Sequence, residues 1–154
     1  MNIIIWMYVD MSVIERTLVR FAGPEDLEWC VVEDSLVTEQ IIRHKIVNNE
    51  VIIAEIDGQL FGYIRLEFLW SIKPYIGVIF VDTEYQRRGI GRKMLMFLED
   101  HLRKYGYDDL FSSSEVGAAE AQAWHRSNGF TECGIINCIN EGGIGEVFFR
   151  KSLV

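Results

Sequence analysis

Apolar and polar positions alternate along this chain in two distinct periods, and the changes of period outline its elements. Ile14 to Phe21 alternates every second residue, as a strand does. Gly23-Pro24-Glu25-Asp26 then opens a helix, with proline in the first turn and acids at the positive end of the dipole. Leu27 and Val31, with Cys30 beside them, form its predicted buried stripe. A second helix over Thr38 to Val47 is predicted to bury Ile41, Ile42 and Ile46. Val51 to Ile56 and Gln59 to Trp70 read as strands joined at Asp57-Gly58, a dipeptide suited to a hairpin turn. Ser71 to Pro74 is a predicted loop and Tyr75 to Val81 the next strand. From Gly89 to Tyr105 the period lengthens, with Ile90, Met94, Leu98 and Leu102 at helical spacing and Gly106 able to end the helix. Leu110 to Ser114 is a short strand, and Ala118 to Ser127 a helix stopped at Asn128-Gly129. Phe130 to Asn140 and Glu146 to Leu153 finish the chain as strands around the glycine-rich turn Glu141 to Gly145. The predicted order β-α-α-β-β-β-α-β-α-β-β describes a mixed α/β sheet flanked by helices, without repeats or linkers, in one domain over residues 1–154.

Composition narrows the class. With 154 residues, 49% hydrophobic and 25% charged, the chain has the make-up of a globular domain with a core of its own. A net charge of -8 excludes the broad basic surface that a nucleic-acid backbone requires, and suits a cationic partner. The three cysteines form no C-x-x-C pair and the three histidines lie far apart, so no metal site is expected. Reduced thiols point to a cytoplasmic protein. The apolar run Asn2 to Val9 is too short to span a bilayer and has no basic residue before it, so neither a membrane span nor a secretory signal is expected. Residues 1–11 remain open between an extra edge strand, an association surface and a leader upstream of a start at Met11.

Against that acidic background, Arg87, Arg88, Arg92 and Lys93 crowd four cations into seven positions around Gly89 and Gly91, where the strand ending at Val81 gives way to a helix. Glycines allow close backbone approach, and the first amides of a helix lack internal partners and point along the positive end of its dipole. Flanking guanidinium groups add charge-assisted hydrogen bonds. The turn is a predicted diphosphate cradle. It lacks the lysine-hydroxyl end of a P-loop, and Met94 stands where a dinucleotide fingerprint needs its third glycine.

What remains, Gln86-Arg87-Arg88-Gly89-Ile90-Gly91, resembles the Q/R-x-x-G-x-G/A signature of the GNAT superfamily of acetyl-CoA-dependent N-acetyltransferases. The segment Ala121 to Phe130 is similar to that family's A-x-x-x-Y-x-x-x-G-F segment, and the element order is the family's over Ile14 to Leu153. The resemblance implies a GNAT fold, a mostly antiparallel, splayed sheet of six or seven strands with about four helices. It implies acetyl-CoA as co-substrate, held by Ile79, Phe80 and Val81 on the strand and by Arg87, Arg88, Gly89, Ile90, Gly91 and Arg92 in the turn. The Val81 N–H is the implied donor to the thioester carbonyl.

The resemblance implies acetyl transfer to a primary amine by direct attack in a ternary complex. His125 stands where many family members carry a tyrosine that protonates the leaving thiolate. An imidazole with a pKa near ~6.5 protonates a thiolate near ~8.5 downhill. Its other roles are base for the amine, hydrogen bond to the sulfur, or packing beneath the cofactor. Relatives that acetylate protein N-termini carry a glutamate sixteen residues before the glycine of G-F, and that position is Ser113, which has no carboxylate. Glu115 and Glu67 are the available candidates for base, or for holding a cationic amine while water carries the proton. These departures and the acidic surface favour a small polyamine or aminoglycoside-like acceptor, with a protein N-acetyltransferase or a non-catalytic acyl-CoA-binding module as alternatives. The oligomeric state stays open between monomer and a homodimer paired through terminal strands. Trp29, Trp70 and Tyr75 are candidates for the substrate mouth.

Overall fold

The computed structural model describes residues 13–154, so the apolar run from Asn2 to Val9 and Met11 lie outside the described residues. The elements are β1 (Leu18–Phe21), α1 (Leu27–Glu33), α2 (Glu39–Val47), β2 (Val51–Ile56), β3 (Gln59–Leu69), β4 (Lys73–Val81), α3 (Ile90–Lys104), β5 (Asp109–Glu115), α4 (Ala119–Ser127), β6 (Thr131–Ile136) and β7 (Glu146–Ser152). The strands hydrogen-bond in the order β1-β2-β3-β4-β5-β7-β6. Pairs β1–β2, β2–β3, β5–β7 and β6–β7 are antiparallel, whereas β4–β5 is parallel. A parallel neighbour needs a crossover, and α3 supplies it. The mixed, mostly antiparallel seven-stranded sheet agrees with the six or seven strands that the family resemblance implies.

The chain forms two compact units. The first comprises the residues up to Leu66 and Val78–Leu98. Its core gathers Cys30, Ile42 and Ile46 of α1 and α2 with Val51, Ile53 and Tyr63 of β2 and β3. Burying Cys30 beside Asp26 and Asp34 pushes its thiol up to about 12, which keeps it uncharged and inert. On β3, Gly62 is required by packing: a Cβ there would lie 2.8 Å from the Met94 sulfur and 2.9 Å from the Ala54 Cβ. The fully buried Asp34 carboxylate accepts from Arg65 Nε at 2.6 Å and from Tyr63 OH at 2.9 Å. Lys93 Nζ donates to the carbonyls of Ile14 and Thr17, at 2.9 and 2.6 Å. The second unit comprises Glu67–Gly77 and Glu99–Val154. Its apolar centre includes Leu102, Leu110, Phe130, Phe149 and Leu153, and the buried Glu99 pairs with Lys151 and Arg103.

Several local predictions change. The predicted strand Ile14 to Phe21 begins only at Leu18, because residues 13–16 form a helical turn in which both the amide and the hydroxyl of Thr17 bond the Val13 carbonyl. On α2, Ile41 is exposed and Lys45 takes a buried place, its ammonium satisfied by the Leu66 carbonyl and Glu50. The predicted loop Ser71 to Pro74 shortens to a tight turn. Trp70 and Ser71 both have positive φ, 52° and 63°, as the two central residues of a primed hairpin turn do, and Pro74 is already inside β4. The strand predicted over Phe130 to Asn140 stops at Ile136. Strand β6 is the sheet's last and exposed throughout, so no packing sustains it further.

Candidate functional site

Strand β4 leads directly into the glycine turn. The Asp82 amide donates to the Phe61 carbonyl of β3 at 2.8 Å. Across a planar trans peptide the carbonyl of Val81 therefore points away from β3, and in an extended residue the Val81 N–H points the same way. Gln86 Nε2 donates to that carbonyl at 2.8 Å. The parallel ladder of β4 with β5 includes Tyr75↔Phe111 and Ile76↔Ser112 and, among the described residues, no later pair. Ile79 and Val81 thus stand beyond that ladder with main-chain groups directed away from β3. Phe80 differs, since its ring turns into the core against Trp29 and Tyr63.

The chain then folds back through a short turn at Thr83–Tyr85, anchored by Tyr85 stacking on Phe61 with centroids 4.0 Å apart. Burial and the neighbouring Glu84 hold Asp82 above the ordinary carboxylate range. Arg87 and Gly89 both adopt left-handed backbone, with φ of 60° and 80°. Such a conformation is costly for arginine and natural for glycine. The first intrahelical bond runs from the Lys93 amide to the Gly89 carbonyl at 3.0 Å. The amides of Gly89, Ile90, Gly91 and Arg92 consequently have no acceptor within the helix. Arg87, Gly89 and Arg92 are exposed and Arg88 half-buried around this end, whereas the Ile90 side chain is buried. Lys93, predicted as part of the cationic cluster, is committed to Ile14 and Thr17. The turn can hold an anion by main-chain amides, helix dipole and guanidinium groups together.

His125 lies in the second unit and is 3% exposed. Its Nδ1 donates to the Ala121 carbonyl at 2.7 Å, which leaves Nε2 to accept from Ser112 Oγ, also at 2.7 Å. The ring stacks on Phe149 with centroids 4.5 Å apart. Burial lowers its pKa below the ordinary histidine value, so the imidazole is neutral near neutrality. Successive β5 residues face opposite sides, so Ser112 meets His125 while Ser113 and Glu115 share the other face. Glu115 is exposed and sits directly across from Glu146 on β7. Glu67 is half-buried near the end of β3. The structure therefore places His125 and Glu115 on opposite faces of β5.

It gathers another set that the sequence reading did not assemble. Tyr75 OH lies 2.6 Å from Ser113 Oγ, Ser113 Oγ donates to Glu146 Oε1 at 2.6 Å, and Asn140 Nδ2 donates to Glu146 Oε2 at 2.7 Å. The Tyr75 ring stacks on Phe148, the register partner of Ser113. Only the pairing of β5 with β7 brings Glu146 to Ser113 across 33 positions, and no spacing rule in the sequence announces it.

A sequence model of the acetyltransferase (GNAT) family matches residues 19–130. Over 57 residues the chain is 42% identical to the ribosomal protein bS18-alanine N-acetyltransferase of Escherichia coli, a match covering 37% of this chain and 38% of that enzyme. The curated relative is therefore matched over less than half its length. The ribosomal-protein-alanine N-acetyltransferase of Brucella melitensis is 27% identical in structural superposition, with a TM-score of 0.70 over 88% of this chain and 99% of that one. The acetyltransferase yncA of Salmonella typhimurium, solved with its cofactor acetyl-CoA, shares the fold at a TM-score of 0.75 and 19% identity, over 90% and 95% of the two chains. The family match spans both the strand-to-turn segment and the helix of His125, and this chain belongs to the GNAT family of N-acetyltransferases.

Proposed function

We propose that this enzyme transfers the acetyl group of acetyl-CoA to the primary amine of a small cationic acceptor, polyamine or aminoglycoside-like, by direct attack in a ternary complex. The observation that carries the reading is the junction of β4 and α3. There four amides without helical acceptors, Gly89 to Arg92, follow a strand whose Val81 N–H points away from β3. In this reading the amides, with Arg87, Arg88 and Arg92, hold the pyrophosphate, Ile79 flanks the pantetheine arm, and Val81 N–H hydrogen-bonds the acyl oxygen. Phe80 supports the strand and not the cofactor directly, its ring packing against the core and its main chain facing β3. Acetyl-CoA supplies an activated acyl group, and the protein supplies position, charge and a place for the amine's proton.

Two observations support a cationic acceptor. The chain carries a net charge of -8, and Glu115 and Glu146 stand opposite each other on one face of β5 and β7. Glu115, being exposed, would attract the ammonium. His125 has both nitrogens engaged, which supports a role in holding α4 to β5 and orienting Ser112, with no proton step assigned to it. Glu67 is assigned no proton step. A second reading, acetylation of a protein α-amine, is favoured by the 42% identity to the bS18-alanine enzyme.

Thiol release from acetyl-CoA, measured against polyamines, aminoglycosides and a peptide beginning with alanine, separates the readings. The first expects kcat/KM at least about tenfold higher for polyamines or aminoglycosides, a difference of about 1.4 kcal/mol. The opposite order would establish the second.

A further inference from the structure

We propose that Gln86 is an internal stand-in for coenzyme A: its carboxamide holds the Val81 carbonyl, and an amide of the ligand's pantetheine arm displaces it on binding. The inference rests on the proposed acetyl-CoA reading and deepens it by naming the residue that limits what the arm adds to affinity.

The destination of the side chain is the first observation. Gln86 is exposed, yet its Nε2 reaches back five positions to donate to the Val81 carbonyl at 2.8 Å. Fixing an exposed glutamine in one place costs conformational entropy, so the bond has to offset that cost. Its acceptor lies at the end of a strand. The Val81 carbonyl and the Val81 N–H share one edge of β4 and point away from β3, because the Asp82 amide donates to the Phe61 carbonyl at 2.8 Å. Main-chain groups on such an edge call for partners. A carboxamide N–H is the same kind of donor as the amide N–H groups of a pantetheine arm. A ligand paired with both groups of Val81, as one strand pairs with another, needs the place that the carboxamide takes.

The second observation is that the turn does not depend on this bond. The Tyr85 amide donates to the Asp82 carbonyl at 2.8 Å, and the Tyr85 ring stacks on Phe61 with centroids 4.0 Å apart. Asp82 and Tyr85 thus anchor the turn to β3, and Gln86 can release Val81 without unfolding it. All of these groups lie in the first compact unit. The exchange conserves hydrogen bonds, since a bond to the arm replaces an internal one and the freed carboxamide returns to water. The arm therefore gains less than it would on a bare carbonyl, while a pyrophosphate on the amides of Gly89 to Arg92 is indifferent to the change.

Calorimetry on wild type and Gln86→Met tests this with two ligands: coenzyme A, and ADP, which carries a pyrophosphate but no arm. Methionine keeps the side chain's length and removes the donor. The variant should bind coenzyme A about fivefold more tightly, the factor of one neutral hydrogen bond, and ADP within about twofold of wild type. In NMR spectra the Gln86 carboxamide signals, identified by their loss in the variant, should shift with coenzyme A and stay in place with ADP. The variant's urea midpoint should match that of wild type, and a clear fall would make the bond structural and overturn the displacement. Equal changes for both ligands, no change for either, or weaker binding of coenzyme A alone would overturn it as well, leaving the acetyl-CoA reading intact. Wild type that bound neither ligand would overturn both.

Discussion

Asp34 shows how one residue's place decides its worth. Its carboxylate has 0% side-chain exposure, and Arg65, Tyr63 and the Leu36 amide all donate to it. Charges so deeply buried contribute little net stability as a pair, but removing one leaves the other desolvated. Asp34→Ala should therefore cost about 3–5 kcal/mol, read as a fall in the urea midpoint at unchanged slope. His125 makes the complementary case through pH. Burial lowers its folded pKa below the ordinary ~6.5, so the unfolded chain binds the proton first. The stability it contributes is present above about pH 6.5 and lost as pH falls through the lower folded value. His101, lowered by burial and by Lys104, acts in the same direction. Urea midpoints measured from about pH 7 down to about pH 5 should fall more steeply in wild type than in His125→Gln. An equal slope would show that His125 titrates normally. The sequence marked His125 for attention but could not show the two acceptor and donor contacts that occupy it.

At the scale of elements, the β4–α3 junction was the most legible part of the chain. Its glycines, cations and change of period all lie within a dozen consecutive residues, where spacing is geometry. Gly89 illustrates the point, since φ of 80° excludes most side chains and a Cβ would also meet the Ile14 methyl at 2.9 Å. Gly89→Ala should cost about 1–2 kcal/mol for the left-handed backbone. On the proposed reading it also weakens acetyl-CoA binding about tenfold by calorimetry, by turning one amide aside. Elements that depend on distant partners were less legible. Residues 13–16 alternate like a strand yet close a helical turn, and β6 loses its predicted length for want of a covering layer. Glu146 read as the start of a strand. Its partnership with Ser113 and Tyr75 exists only through β5–β7 register, which local pattern does not encode.

For the molecule as a whole, charge is the property that composition states outright. A net charge of -8 concentrates cations near the surface and is screened by salt over a Debye length of about 10 Å at 0.1 M. KM for a polyamine should rise several-fold between about 0.02 and 0.3 M salt while kcat holds, and KM for a neutral-bodied peptide should change much less. Equal salt dependence for both would count against electrostatic capture of the acceptor. The order of elements and the make-up of the sheet were also legible, because hydrophobic period and crossover length constrain them directly.

Lys93 ties the opening turn of the described residues to the helix whose first amides form the proposed anion cradle, since its ammonium meets the carbonyls of Ile14 and Thr17. Occupancy of that cradle should therefore be felt far back in the sequence. In deuterium-labelling experiments, amides at residues 13–17 should slow their exchange on addition of coenzyme A, and Lys93→Met should abolish that slowing while the helix itself stays protected. Residues 13–17 would then serve as a reporter of ligand at the proposed cradle.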